Sequence, residues 1–372
     1  MRVLVVNAGS SSLKHAVVES DDGRVSAAGE ERWDPGDTPG RHGDALAATL
    51  DAAGHAVEAI GHRVVHGGTR FEAPALIGDD VVAAIEQVAA LAPLHNRAAL
   101  EGIAAARAAF PHTPQVACFD TAFHRTLEPA AATYAIPGEW AAAHGIRRFG
   151  FHGLNVSWCA GRAGELLGPA ARRLVVCHLG SGCSVTALLS GRSVDTTMGF
   201  TPLDGVPMAT RSGALDPGIL LYLQHSGGLD ADALDDGLNH RSGLLGISGR
   251  SSDLREVLAA AEDGDARSQL AFEVLVRGVA GAVAAQSTAL GGLDALVFTA
   301  GAGENSARLR AAVAARLVHL GVRLDPRRNG RTVPDCEIGA EGANVRVLVL
   351  RAREDLVVAR ETAAVVRRRG AG

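Results

Sequence analysis

One pattern in this chain occurs twice. Residues 173–194, RLVVCHLGSGCSVTALLSGRSV, lie over residues 2–25, RVLVVNAGSSSLKHAVVESDDGRV. Arg2 matches Arg173, Asn7 matches His178, Gly9 matches Gly180 and Ser10 matches Ser181. Each copy reads apolar strand, Gly/Ser turn, apolar strand, then Gly-Arg. A repeat at this spacing predicts two similar half-molecules, not a solenoid of short units. The length of 372 residues suits two domains, and a hydrophobic content of 47% suits a large buried core.

The first copy reads as a β-hairpin, residues 2–6 and 13–18, with a third strand near Arg24–Ala28. The Gly/Pro/Asp-rich segment 29–43 reads as a loop. Helical patterns follow at about 44–53, 79–91 and 96–109, with strands near 59–65 and 115–119. This α/β alternation implies a mixed sheet covered by helices. A third Gly-rich turn, ALVFTAGAGENS (295–306), follows a strand and opens a helical pattern running to about His319. The Ala/Gly/Val-rich stretch 278–303 is broken by Gln286, Ser287, Thr288 and Asp294, and reads as a buried helix followed by a strand, not a membrane span. Formal net charge is -5 without a long basic run, which argues against nucleic acid or a membrane surface as partner. The five cysteines are scattered and none forms C-x-x-C, so they read as reduced thiols of a cytoplasmic protein.

Glycine lets a backbone approach an anion closely, and successive N–H groups form a concave anion site. Three such turns, each after a strand, suggest phosphate. Lys14, just past the first turn, is the only lysine among 36 basic residues. It supplies a compact point charge where arginine would supply a rigid fork. Other chemistry-bearing residues sit at strand ends or in Gly/Pro-rich loops, where sites are built: Arg63 and His66 in HRVVHGG, His95 in PLHN, Asp120 and His124 in FDTAFH, His152 in RRFGFHG, and Arg211 in the long segment DTTMGFTPLDGVPMATRSGALDPG. Taken singly, each histidine or arginine reads more readily as a buried hydrogen-bonding group or a surface residue. Nucleophile-elbow, zinc-finger and dinucleotide fingerprints are missing. Gly/Ser turns, carboxylates and Arg/His together fit phosphoryl transfer, in which catalysis is largely positioning and electrostatics.

These motifs closely resemble the acetate kinase family, within the acetokinase and sugar kinase/Hsp70/actin superfamily. VNAGSSSLK, HRVVHGG, PLHN, FDTAFH, RRFGFHG, HLGSG, MGFTPLDG, TRSG, GISGRSSDLRE, FTAGAGENS and EDLVVARET occur in the family's order over nearly the whole chain. The resemblance implies an α/β, duplicated actin-like/ribonuclease H-like fold with an active-site cleft between two domains. Domain one would be residues 1–124 plus 356–372. Domain two, 125–355, would carry nucleotide binding and homodimerisation. The implied activity is reversible transfer from ATP to acetate. Asn7 and Glu354 would hold Mg²⁺, with Mn²⁺ as the alternative. Ser10, Ser12 and Lys14 would lie by the nucleotide phosphates, as would the turn His178, Leu179, Gly180, Ser181 and Gly182. Asp253, Leu254 and Arg255, with Gly301, Ala302, Gly303, Glu304 and Asn305, would bind adenosine. Arg63, His152 and Arg211 would surround the transferred phosphoryl group, and Asp120 matches the family's catalytic aspartate. Val65, Leu94, Phe151 and Pro202 would form the substrate's apolar pocket, with His95 beside them.

A carboxylate nucleophile is already ionised at neutral pH, so Asp120 is not needed as a general base and is assigned to orienting metal-bound water or Arg211. The chain departs from the family at Leu154-Asn155-Val156 for Thr-Ser-His, Ser181 for Asn, Ala302 for Ile, and Arg351-Ala352-Arg353 for Pro-Thr-Asn. These changes bear on substrate preference and rate. A propionate or other short-chain acyl kinase, a pyrophosphate donor, and a non-catalytic actin- or Hsp70-like nucleotide switch are the rival readings.

Overall fold

The computed structural model describes residues 1–9, 12–32, 48, 57–89, 92–168 and 171–370. The chain divides into two compact units. The first is Met1–Arg125, Phe151–Trp158 and Arg353–Gly372; the second is Thr126–Gly150 and Cys159–Ala352.

The first unit holds β1 (Arg2–Ala8), β2 (Ser12–Glu19), β3 (Val25–Arg32), β4 (Ala59–Val64), β5 (Ala75–Leu76) and β6 (Gln115–Phe119), in the order β3-β2-β1-β4-β6-β5. The apolar run of β1 suits a central strand buried on both faces. Leu4, Val6 and Ile60 face the helix Pro93–Ala109 through Ala98 and Ala106. Val3, Val5, Val116 and Cys118 face the helix Glu354–Gly370 through Leu356, Val358 and Ala359. Pro93 opens its helix at the first position, where a missing N–H costs nothing.

The second unit holds β7 (Arg173–Leu179), β8 (Cys183–Leu189), β9 (Arg192–Thr196), β10 (Ala295–Thr299), β11 (Cys336–Glu337) and β12 (Arg346–Leu350), in the order β11-β12-β10-β7-β8-β9. Read from the opposite edge, this is the first sheet again. In each, a central strand pairs antiparallel to a hairpin partner and parallel to a later strand. Each edge strand β5 and β11 is antiparallel to its neighbour. Even the irregularity is repeated, with a register shift between Val17 and Val18 and another between Ala187 and Leu188. The hairpin turns differ. Four residues separate the paired Ala8 and Leu13, whereas three separate Leu179 and Cys183. The helix Ala266–Ala289 is long and apolar enough to cross a membrane, but it is a core helix: Phe272, Leu275, Val276, Val279 and Val283 are buried and it packs on β7 and β8.

Several boundaries differ from the sequence reading. β3 runs on to Arg32 because Gly29, Glu30 and Glu31 pair with His15, Lys14 and Leu13, so residues 29–32 are strand rather than loop. The rest of that loop lies outside the described residues, as does the helix expected at 44–53 apart from residue 48. The helix expected at 79–91 ends at Gln87, and the one expected from 96 begins at Pro93. The helix after the third glycine turn is two, Ala300–Asn305 and Ala307–Arg316, because the Ser306 hydroxyl caps a new start at the Leu309 N–H. The buried helix begins at Ala266, where Asp265 caps the Arg267 N–H. The first unit also takes in Phe151–Trp158, placed in domain two by sequence, because Leu154 is buried with Val3, Val5 and Leu356.

Gly61 marks how tightly the helix Glu354–Gly370 lies on β4: a Cβ there would stand 2.4 Å from Thr362 Oγ1 and 2.6 Å from Val358 Cγ1. Gly61→Val is expected to lower stability by roughly 1–3 kcal/mol through overpacking, read as a lower urea midpoint at unchanged slope.

Candidate active site

β1, β4 and β6 are parallel, so their carboxyl ends share one edge of the sheet, where open α/β sheets bind ligands. Side-chain alternation carries Asn7, Arg63 and Asp120 to this edge on the face covered by the helix Glu354–Gly370. Arg63 grips Asp120 with Nη2 at 2.7 Å and Nε at 3.2 Å from Oδ2, while its Nη1 lies 3.1 Å from Glu354 Oε2. The Asp120 side chain is 1% exposed and the Arg63 side chain 16%. Burial disfavours the Arg63 charge, but Asp120 and Glu354 together outweigh it and hold the guanidinium above its ordinary pKa. Glu354 opens its helix, where a negative charge suits the dipole. The cationic neighbour Arg353 turns away, onto the Asp355 carboxylate and the Gly23 carbonyl.

Along the same row, Asn7 is paired with Lys14 and Lys14 with Glu30. Lys14 Nζ is 3.8 Å from Glu30 Oε1 and its side chain is 60% exposed, so it reaches out past the strand end. Ser12 opens the same strand, and its carbonyl accepts the Gly9 N–H at 2.7 Å. Ser10 lies outside the described residues.

His152 holds a left-handed backbone with φ 57° between Phe151 and Gly153. The Gly153 N–H donates to the Asp120 carbonyl at 3.1 Å, and a Cβ on Gly153 would stand 2.0 Å from that oxygen. Only glycine lets the His152 turn lie against Asp120. His124 Nε2 bonds the Phe151 carbonyl at 2.9 Å and fixes the other side of the turn. The HGG loop is held by Asn96, whose amide exchanges hydrogen bonds with the His66 N–H at 3.0 Å and carbonyl at 2.9 Å. Phe151 is buried and meets the His66 ring edge-on at 5.4 Å. Val65 and His95 are half-buried, and the side chain of Leu94 lies outside the described residues.

In the second unit the two remaining glycine turns adjoin. They follow the parallel neighbours β7 and β10, and a Cβ on Gly301 would stand 4.0 Å from Gly180 Cα. Beside them opens a pocket of about 700 Å³. Leu179, Gly180 and Ser181 line it, as do Asp253, Leu254 and Arg255, and Gly301, Ala302 and Asn305. Three motifs far apart in sequence therefore meet at one cavity. Asp253 caps its own helix at the Arg255 N–H and pairs with the Arg255 guanidinium, whose hydrogen bond is the chief reason its carboxyl sits below the usual range.

Gly303 and Glu304 are absent from the lining. Gly303 packs against Phe298, Cys177 and Leu179. The Glu304 carboxylate folds back to accept the N–H groups of Ala300 at 3.0 Å and Ala352 at 2.9 Å. Arg310, 1% exposed, holds the Gly303 and Glu304 carbonyls from below. Arg211 donates from Nη1 to the Pro202 carbonyl at 3.2 Å, and burial lowers its pKa against the opposing influence of Cys183. His178 is buried at the end of β7. The sequence reading missed Met208, Leu244 and Leu258, which wall the pocket. Leu254, Leu258 and Glu262 recur every fourth residue of one helix, a signal present in the sequence.

Doubled six-stranded sheets with glycine turns at the ends of their inner strands define an actin-like fold with the equipment of a phosphotransferase. A family model described as the acetokinase family matches residues 44–360, and the chain belongs to that family. It is 46% identical to the acetate kinase of Synechococcus sp. (strain JA-2-3B'a(2-13)) over 96% of this chain and 98% of the relative. It is equally 46% identical to that of Leifsonia xyli subsp. xyli (strain CTCB07), over 96% and 97%. Among solved structures it is similar to a propionate kinase from Francisella tularensis subsp. tularensis SCHU S4, with TM-score 0.91, 37% identity and coverage of 98% and 99%. Porphyromonas gingivalis acetate kinase gives TM-score 0.89, 34% identity and coverage of 98% and 99%.

Burial lowers the pKa of both His62 and His124 to about 4, from 6.5. Between those values the unfolded chain binds protons that the folded histidines refuse, so their contribution is complete above about pH 6.5 and is lost as pH falls toward about 4. Glu361 works the other way. Burial first, and Asp120 after it, raise its pKa from 4.5 to about 7, so its contribution is lost as pH rises through that range. Urea midpoints between pH 4.5 and 7 should therefore show a shallower acid-side decline in His124→Asn and a steeper one in Glu361→Gln.

Proposed function

We propose that the chain is an acetate kinase, transferring the γ-phosphoryl group of ATP reversibly to acetate to give acetyl phosphate and ADP. The observation that carries this reading is the clamped Arg63. Two carboxylates hold its guanidinium charged and rigid at a strand end, and one N–H on each Nη remains for a phosphoryl oxygen. The reaction brings two anions together, so fixed cations address its main barrier. An acetate oxygen attacks phosphorus, the bond to the ADP bridging oxygen breaks, and the electron pair leaves with ADP. Arg63, His152 and Arg211 would donate to the equatorial oxygens. Acetate arrives ionised, so Asp120 takes no proton; it holds Arg63 and, with a metal ion bound, would orient the water around that ion.

Asn7 and Glu354 offer an amide oxygen and a carboxylate, hard donors suited to Mg²⁺ or Mn²⁺. Among the described residues no three His, Cys, Asp or Glu side chains form a metal-holding group. An ion held by these two residues alone would keep much of its water, as Mg²⁺ does. Bound there, the ion would neutralise charge developing between the β- and γ-phosphates. Ser10, Ser12, Lys14 and the His178–Gly182 turn would hold the phosphates. The 700 Å³ pocket would take adenosine between Asp253-Leu254-Arg255 and Gly301-Ala302-Asn305, with Gly303 and Glu304 shaping the turn. Val65, Leu94, His95, Phe151 and Pro202 would enclose the methyl group. The likeness to the Francisella propionate kinase supports a second reading. One methylene in an apolar pocket is worth only about 1–3 kcal/mol, so kcat/KM for acetate, propionate and butyrate decides between them.

The helix Pro217–His225 buries none of its residues, and Ile219, Leu221 and Tyr222 are 45%, 56% and 67% exposed. Such a patch fits an interface between copies, so the protein is proposed to be a homodimer through its second unit. None of the five cysteines forms a disulfide, in keeping with a reducing cytoplasm.

Acetate, MgATP and hydroxylamine should yield acetyl hydroxamate; no product with any short carboxylate would end this reading. Arg63→Ala and Arg211→Ala should each lower kcat/KM by roughly 100-fold or more, and a change of only a few fold would remove that role. Leu221→Asp with Tyr222→Asp should halve the mass seen by light scattering.

A further inference from the structure

The first unit has a cavity of its own, of about 700 Å³, at the amino end of β6 and thus at the opposite end of the sheet from Asp120. Its walls are the loop Phe110–Pro114, the end of β5 at Leu76 and Ile77, and the last turns of the helix Glu354–Gly370 at Val366 and Arg369. None of the proposed catalytic residues lines it.

Its charge is one-sided. The ionisable residues of the lining are Arg107, His112 and Arg369, and no Asp or Glu is among them. This stands out in a chain of net charge -5. Arg107 is partly neutralised by Asp79, 2.7 Å away but 91% exposed and therefore well screened. Arg369 has no carboxylate partner among the described residues. Leu76, Ile77, Phe110, Pro111 and Val366 supply an apolar surface beside these cations. Two guanidinium groups over an apolar floor match a small amphipathic anion, with a phosphate or carboxylate head and an apolar body.

The floor of this cavity leads to the active end by two routes. Gln115 begins β6, which ends at Asp120, and its side chain holds His62, the neighbour of Arg63, at 2.9 Å. Val366 and Arg369 end the helix that begins at Glu354. Asp120 and Glu354 are the two partners of Arg63. We propose that this cavity is a second, non-substrate site that takes small amphipathic anions. A ligand there would brace the far ends of both elements that hold Arg63.

The test is isothermal titration of the full chain with phenyl phosphate in saturating MgADP and acetate, which occupy the proposed active site. Binding is expected to persist, to weaken on the order of tenfold in Arg369→Glu, the size of reversing one of two partly screened charges, and to be far weaker for inorganic phosphate, which has no apolar body. Arg369 is an exposed residue near the end of a surface helix, so this variant should fold. Absence of binding would overturn the proposal. So would loss of binding in MgADP, or equal affinity for Arg369→Glu and the parent. Equal binding of inorganic phosphate would show a bare anion contact instead of the proposed amphipathic site. Hydroxamate formation by the same Arg369→Glu sample is expected to match the parent, which keeps this result separate from the assignment of activity.

Discussion

The buried charge of Arg63 is the constraint around which the first unit is arranged. A guanidinium taken out of water needs carboxylates close by, and removing one partner of such a group leaves a costly uncompensated charge. Asp120 and Glu354 meet that need from two different elements, one at a strand end and one at a helix start. Their positions then dictate much else. The helix Glu354–Gly370 must lie hard on β4, which is why Gly61 has no room for a side chain. The His152 turn must lie hard on Asp120, which is why Gly153 has none either. The three charged groups sum to one negative charge.

The second unit answers a different problem, that of bringing distant segments of the chain to one cavity. It does so by setting the ends of β7 and β10 side by side, so that two glycine turns nearly touch. The precision of that arrangement comes from residues that face away from the cavity. Glu304 ties the turn to Ala300 and Ala352, and Arg310 supports it from below with a side chain that is almost wholly enclosed. These residues place the cavity-lining groups without lining the cavity themselves.

How much of this could be read from sequence depended on the range of the interactions. Strands β1, β2, β4 and β6 were legible because apolar runs bounded by Gly, Ser and Asp are local signals. The duplication was legible because the repeated segment extends through its turn. The end of β3 was not, since Gly29 and Glu30 look like loop residues until β2 pairs with them. Nor was the allegiance of Phe151–Trp158, which depends on Leu154 meeting core residues more than a hundred positions away. At the site, residue types and motif order pointed to Arg63, Asp120 and Glu354, but not to their mutual grip. Glu304 sits in a motif expected to bind adenosine, yet only the folded chain shows its carboxylate engaged by two backbone N–H groups.

The hairpin turn after β1 is one residue longer than its counterpart after β7, although the strands and even the β-bulge beyond them correspond. The added residue is absorbed within the turn, so neither sheet has to change its pairing to accommodate it. One turn could thereby come to set a lysine across from Asn7 while the other set Ser184 across from His178. After an ancestral duplication, loop editing of this kind would let similar scaffolds specialise toward different chemical groups while both cores stayed intact.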